Sequence, residues 1–176
     1  MNRFLTSVCV LLLAAGSVNA QSAQVKKAAK STFKLTAYDS NGNATSSTCG
    51  VFVTADGEAI GSWSALSSAA SAVVTDFNGK TYPVHEIYDV CRFKVGTQKA
   101  QAATLAKALM PKDSKLWLVG SEQKKPTAAQ YEIERQETFM DKYGYYVLAF
   151  RDSQGIPGSA MVNANGELVG LFQSAP

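Results

Sequence analysis

Residues 72–87 of the chain read AVVTDFNGKTYPVHEI, two strand-like runs separated by the turn dipeptide Asn78-Gly79. An Asn-Gly pair between two such runs is a strong signal for a β-hairpin, because both residues tolerate the positive φ that tight hairpin turns need. Similar turn chemistry occurs upstream at residues 39–43, DSNGN, and at residues 55–57, ADG. Short strands separated by turns of this kind predict an all-β barrel or sandwich.

Further strand-like segments lie on both sides of this hairpin, each a short run rich in apolar residues. In chain order the predicted strands are residues 31–38, 50–53, 72–77, 81–87, 90–95, 116–119, 130–135, 144–150, 160–162 and 167–172. Residues 21–30 contain helix formers with Val25 as their only large apolar residue, which predicts a short N-terminal helix or tail. Residues 98–114 are rich in Ala and Lys and predict a linker or one helical turn.

The composition limits the classes of protein to consider. A chain of 176 residues with 46% hydrophobic and 18% charged residues can form one compact domain or two small packed halves, and it is neither collagen, coiled coil nor wholly disordered. A net charge of +3 is too small to indicate a nucleic-acid binder. One histidine, His85, and 3 Cys leave little material for a zinc site. We therefore expect no nucleic-acid partner, no metal and no cofactor.

Residues 1–20, MNRFLTSVCVLLLAAGSVNA, have the layout of a secretory signal peptide. A basic start with Arg3 precedes an apolar run, and Val18-Asn19-Ala20 matches the small-x-small pattern that signal peptidase cleaves after. The alternative is a membrane anchor, but the apolar run is far shorter than the roughly 20 residues needed to span a bilayer. We expect cleavage after Ala20, export to the periplasm or the medium, and no membrane association afterwards.

Cleavage would remove Cys9 and leave Cys49 and Cys91. In an oxidising compartment an isolated pair of cysteines is most simply a disulfide. The alternative is two buried thiols.

Several segments, in order and at matching spacing, resemble trypsin-like serine proteases of the chymotrypsin fold, in the HtrA/Deg style. Residues 48–57, TCGVFVTADG, resemble the G-x-G-F-[IV] strand with its D-G-[YH]-[IV]-L-T-x-x-H continuation. Residues 88–95, YDVCRFKV, resemble D-L-A-[VL]-L-K-[VI]. Residues 115–120, KLWLVG, resemble the first strand of the second barrel. Residues 155–170, GIPGSAMVNANGELVG, are similar to G-N-S-G-G-P-[LV]-[VL]-N-x-x-G-x-[VL]-[VI]-G.

The resemblance implies two six-stranded antiparallel barrels packed face to face. The family's second barrel continues with further strand and a helix beyond the position of Gly170. An incomplete second barrel is therefore an alternative for this chain. The expected organisation is a signal peptide, an N-terminal helix or tail, a first barrel, a linker and a second barrel. Their bounds are residues 1–20, 21–30, 31–97, 98–114 and 115–176.

Carried over position by position, the resemblance puts the catalytic histidine of the family at Ser64, the carboxylate at Asp89 and the nucleophilic serine at Pro157. A serine protease needs an imidazole base and a hydroxyl nucleophile, and neither Ser64 nor Pro157 supplies them. We therefore expect an inactive homologue that binds a protein or peptide ligand in the cleft between the barrels. Its oligomeric state is left open.

Two alternatives remain. An active hydrolase could use a displaced triad with Ser159 as nucleophile and His85 as base, although an ordinary turn hydroxyl and an ordinary strand histidine are the interpretations we favour. The chain could also be a fragment of a larger protein with a trypsin-like peptidase domain.

Overall fold

A computed structural model describes residues 23–87, 92–122, 125–139, 143–149 and 156–173. The predicted signal peptide, residues 1–20, lies outside these ranges. In the part described, none of the helices is long and apolar enough to cross a membrane. The helical elements are α1 (Ala23–Ala28), a 3-10 turn (Ala29–Ser31) and α2 (Trp63–Leu66). The strands are β1 (Thr32–Tyr38), β2 (Ala44–Phe52), β3 (Glu58–Gly61), β4 (Ser71–Asp76), β5 (Thr81–Ile87), β6 (Arg92–Val95), β7 (Lys115–Glu122), β8 (Lys125–Phe139), β9 (Tyr143–Ala149), β10 (Ala160–Val162) and β11 (Leu168–Leu171).

The first six strands form a closed antiparallel barrel in the order β1-β2-β3-β6-β5-β4. The barrel closes because β1 pairs with both β2 and β4, with Phe33 opposite Gly50 on one side and Asp76 on the other. Closure gives every strand two partners, so the barrel has no edge. The predicted all-β fold class is confirmed.

Three phenylalanines fill the barrel, and two glycines make room for them. Phe33 lies 4.7 Å from Phe52 and 6.0 Å from Phe93 between ring centroids. A Cβ atom at Gly50 would overlap the Phe33 ring, and one at Gly61 would lie 3.2 Å from the Phe93 ring. Because Gly50 and Gly61 face each other across the β2–β3 ladder, the space they leave is continuous.

The hairpin around Asn78-Gly79 is present as β4, a turn and β5. The Asp76 carboxylate accepts hydrogen bonds from the backbone N–H groups of Asn78 and Lys80, and Gly79 has a φ of +83°. The aspartate therefore satisfies the turn's backbone donors, and glycine supplies the left-handed conformation. The Asn78-Gly79 turn prediction is confirmed.

The remaining strands form a curled five-stranded antiparallel sheet in the order β11-β10-β7-β8-β9. This half-barrel agrees with the expectation of a second, incomplete barrel. Its inner face is apolar, and its buried members are Leu116, Leu118, Ile133, Met161 and Phe172.

The barrel and the curled sheet pack against each other through a shared apolar cluster. In β7, Leu118 faces the inside of the curled sheet while Val119, the next residue, faces the barrel, as alternation along a strand requires. Helix α1 adds Val25, which is fully buried in the same cluster. The buried members of the cluster are Val25, Ala29, Val51, Val119, Ala160, Val162 and Leu168.

Residues 98–114 cross between the two units without forming a helix. Ala103 donates its N–H to the Phe52 carbonyl, and Leu105 makes a parallel bridge with Leu168 of β11. Further along, the Met110 N–H donates to the Tyr146 hydroxyl of β9 at 2.9 Å. The connection is therefore held to both the barrel and the curled sheet.

One surface ion pair next to the barrel gives a pH-dependent prediction. Lys94 Nζ donates to the Asp56 carboxylate at 2.6 Å, and this bond, with a smaller contribution from Thr54, lowers the pKa of Asp56 from its ordinary value to about 2. Since the folded pKa lies below the unfolded one, the stabilisation is complete above about pH 4 and is lost as the pH falls through about 2. We expect Asp56→Asn to lower the melting temperature slightly at pH 7 and by clearly less near pH 2. An equal difference in melting temperature at both pH values would contradict this assignment.

Candidate functional site

The turn that carries Pro157 packs directly against the barrel. The Cys49 N–H of β2 donates a hydrogen bond to the Pro157 carbonyl at 3.0 Å. Gly158 follows with a φ of +84°, and any side chain at this position would collide with the Cys49 carbonyl. Only glycine fits there, because both the backbone conformation and the contact exclude a Cβ atom. This close contact holds the turn against β2 at Cys49, next to the point where the β2–β3 pairing ends at Gly50.

Ser64 lies in α2, which follows the strand paired with β2 next to Cys49. Gly50, next to Cys49, is paired with Gly61, the last residue of β3, and α2 begins two residues later. Ser62 is buried and its hydroxyl lies 2.8 Å from that of Ser64, which is exposed. Cys49 thus contacts the Pro157 turn, and its neighbour Gly50 pairs with Gly61, three residues before Ser64. Asp89, the third predicted site residue, lies outside the described residues.

The chemistry available at this place is limited. A serine hydroxyl at position 64 cannot take a proton from a nucleophile near neutral pH. Pro157 has no hydroxyl and no backbone N–H, so it offers neither a nucleophile nor a donor for an oxyanion. The exposed hydroxyl of Ser64 can donate and accept hydrogen bonds, which is the chemistry of binding.

Ser159 lies two residues further on and is buried, with 3% of its surface exposed. Its backbone is fixed on both sides, since its N–H donates to the Ile156 carbonyl and its carbonyl accepts from the Phe172 N–H. The hydroxyl lies near Gly120 of β7, where a Cβ atom added to the glycine would be 3.4 Å away from it. The side chain therefore points into the packed interface rather than to the solvent.

His85 lies elsewhere on the barrel, in the exposed part of β5. Its ring rests against Gly96, where a side chain would overlap Nε2. Gly96 comes directly after β6. In the β3–β6 pairing, Lys94 of β6 is opposite Glu58, the first residue of β3. Gly61 is three residues further along β3, about 10 Å at ~3.3 Å per residue. The structure thus places His85 toward the end of the barrel away from Ser64, and it does not bring it beside Ser159.

The predicted cysteine pair is only half described. Cys49 is buried, with 2% of its surface exposed, and a Cβ atom added to Gly120 of β7 would lie 4.0 Å from its Sγ. Cys91 lies outside the described residues, so the disulfide stays a prediction. In the barrel order, β3 lies between β2, which carries Cys49, and β6, which follows Cys91 in the sequence.

Two further features bear on ligands. Over the described ranges, no three His, Cys, Asp or Glu side chains come together in a way that could hold a metal ion. A small pocket of about 130 Å³ lies at the other end of the barrel from Ser64, with Phe52, Tyr82, Thr97 and Lys99 among its lining residues.

Two packed antiparallel sheets, one closed and one curled, are compatible with a chymotrypsin-like fold. No family model matches this chain, and no curated protein is similar to it. The evidence for its function is therefore the placement of its own residues. Sequence reasoning did not single out Ser62 or the backbone contact between Cys49 and Pro157, because a backbone hydrogen bond between distant segments leaves no residue-type signal.

Proposed function

We propose that the chain is an exported homologue of trypsin-like serine proteases that has lost catalysis and binds a protein or peptide. The ligand would lie in the cleft between the barrel and the curled sheet, beside Ser64 and Pro157. The observation that carries the proposal is the contact between the Pro157 turn and Cys49. It supports the alignment of Pro157 with the family's nucleophile, because Cys49 is next to Gly50, which pairs with Gly61, three residues before Ser64.

The strand order also supports this assignment. A closed barrel followed by a curled sheet, joined by one long connection, matches the arrangement that the family resemblance implies. The segment expected to carry the nucleophile lies between β9 and β10, and the segment expected to carry the base lies directly after β3. The first is a loop whose Pro157 contacts β2, and the second is the short helix α2; the proposed ligand would contact both.

The active alternative receives less support. Its nucleophile, Ser159, is 3% exposed, and its base, His85, rests against Gly96 rather than beside that hydroxyl. A general base must reach the proton it removes within hydrogen-bond distance or through one water. Use of Ser159 and His85 would therefore require a rearrangement of the barrel. A fragment of a longer peptidase-like protein remains a second interpretation of the same fold.

We expect the purified protein to hydrolyse no fluorogenic peptide above the rate of buffer and to resist labelling by a serine-reactive phosphonate. The physical reason is that the cleft holds neither an imidazole nor an accessible activated hydroxyl. Ser159→Ala and His85→Ala serve as controls and should change nothing in either assay. Labelling that either control abolishes would establish the displaced triad and overturn the inactive assignment.

Ligand binding is tested separately, in the same protein. A pull-down from the source organism with the purified chain as bait should recover a protein that a Ser64→Arg variant, with a bulky cation in the cleft, recovers poorly. Thr81→Arg is the matched control, because Thr81 is also exposed and lies at the start of β5, away from α2. Equal recovery by both variants would place the binding surface elsewhere.

A further inference from the structure

Strands β8 and β9 form an arm that extends past the rest of the curled sheet. Strand β7 pairs with β8 only as far as Lys115 opposite Glu132, and the segment before β7 adds one more contact at Ile133. Beyond that point β8 continues to Phe139. In this stretch its described partner is β9 alone. A two-stranded ribbon is marginally stable in water, and three or more strands are normally needed.

The outer edge of the arm is β9, and it lacks the usual protection. Its sequence, YGYYVLA, contains no charged residue and no proline. Edge strands of soluble proteins normally carry a lysine, a proline or a bulge that prevents pairing with another chain. The bulge of this ribbon lies in β8, between Ile133 and Arg135, and leaves β9 regular. Tyr145 remains 45% exposed on this strand.

The opposite edge of the curled sheet is different. The connecting segment lies along β11, where Leu105 bridges Leu168 and the Ala106 N–H donates to the Leu168 carbonyl at 2.9 Å. The fold therefore covers the β11 edge at this point with its own backbone. Among the residues described, β9 has no equivalent cover on its outer side.

The charged side chains of the two strands of the arm all lie on β8, where they form ion pairs with one another. Arg135 makes ion pairs with Glu134 and with Glu137, and the Tyr145 hydroxyl donates to Glu137. This cross-strand network keeps the charges next to one another on β8. It leaves β9 as an uncharged strand, which can pair with an identical strand without bringing like charges together.

We propose that β9 is a homodimerisation edge, at which the β9 strands of two copies pair antiparallel across a two-fold axis. Antiparallel pairing of a strand with itself is a closed, self-complementary contact of the kind that two-fold dimers use. It joins two ribbons into four strands, which supplies the partners that each arm lacks. A second copy of this chain is the proposed partner, because its own β9 is regular, uncharged and rich in aromatic residues.

Sedimentation velocity of the purified protein tests the proposal. We expect twice the monomer mass at high concentration and dissociation on dilution. Val147→Glu places a charge on the edge, opposite Arg135 in the same arm, so the ribbon keeps a favourable cross-strand pair while two copies repel. It should raise the dissociation constant by at least about tenfold. Leu105→Glu is the control, because Leu105 is 56% exposed and lies at the opposite, β11 edge of the curled sheet.

Hydrogen exchange on the unmodified protein gives a second readout that does not depend on any variant. Amide exchange in residues 143–149 should slow as the protein concentration rises, while exchange in the exposed strand β5 should not change. A monomer at every concentration, a dimer that Val147→Glu leaves intact, or a dimer whose protection falls outside β9 would each overturn the proposal. None of these outcomes touches the proposed loss of catalysis.

Discussion

Replacing Phe33 by alanine is expected to lower the free energy of unfolding by about 3–5 kcal/mol, the usual cost of removing a buried aromatic ring. Phe33 is fully buried and contacts Phe52 and Phe93, which come from other strands of the barrel. Its ring also covers Gly50, which has no side chain to fill the space that the ring leaves. The cavity therefore cannot collapse easily, and the cost should lie toward the upper end of that range.

Two variants make this measurement specific. Phe33→Leu keeps most of the volume and should cost clearly less than the alanine variant. Phe77→Ala removes the same group from a half-buried position after β4 and should also cost less. Chemical denaturation monitored by tryptophan fluorescence gives the three values. A loss at Phe33 no larger than that at Phe77 would show that the three-ring cluster does not hold the barrel together.

The strands of the barrel could be predicted where turn residues mark their ends in the sequence. The Asn78-Gly79 dipeptide lies between two strands whose observed bounds, Ser71–Asp76 and Thr81–Ile87, differ from the predicted ones by at most one residue. Strand β3 was not predicted as a strand, because Glu58–Gly61 contains a glycine and only four residues. Its strand conformation depends on pairing with β2 and β6, which no local pattern expresses.

The length of strand β8 could not be predicted from its own residues either. The predicted strand covers residues 130–135, whereas the observed one runs from Lys125 to Phe139. Pro126, Ala128 and Ala129 have low β-propensity, yet they pair with residues 118–121 of β7. Pairing with a neighbouring strand outweighs local preference here, so the arm that β8 forms with β9 could not be read from the sequence.

The candidate site rests on the resemblance alone and stays a prediction. Counting along the motifs put the degenerate positions at Ser64 and Pro157; the structure shows that the Pro157 turn contacts Cys49 and that Gly61, three residues before Ser64, pairs with Gly50. The contact that fixes the Pro157 turn, from the Cys49 N–H of β2 to the Pro157 carbonyl, belongs to the backbone and leaves no signal in residue types. Gly158 is the exception, since a glycine after that proline is the residue its φ of +84° requires.

Restoring both missing residues should produce weak reactivity where the unmodified chain has none. We expect the double variant Ser64→His with Pro157→Ser to react slowly with a serine-directed phosphonate, while each single variant reacts no faster than the parent. Members of a triad act as a unit, so a base without a nucleophile, or the reverse, gains little. Pro157→Ser also restores a backbone N–H that an oxyanion needs.

The structure supports this pair of substitutions on two points. Ser64 is exposed, so an imidazole at that position has room, and its removal costs only the hydrogen bond to Ser62. The bond from Cys49 to residue 157 uses the main-chain carbonyl and should survive the change to serine. Reactivity should nevertheless stay low, because Ser159 and Ala160 stand where the resembled family has glycine and proline, and the oxyanion geometry depends on that loop.

A substitution at Asp89 tests whether the recovered reactivity comes from a catalytic triad. The family alignment gives it the role of orienting the new imidazole, so adding Asp89→Asn to the double variant should remove most of the labelling. Ser159→Ala in the same background should leave labelling in place, since that hydroxyl is buried in the interface with β7. Circular dichroism confirms that each variant keeps its β structure. A folded double variant that labels no faster than the parent, or a single variant that labels equally well, would contradict the alignment of Ser64 and Pro157 with the catalytic positions.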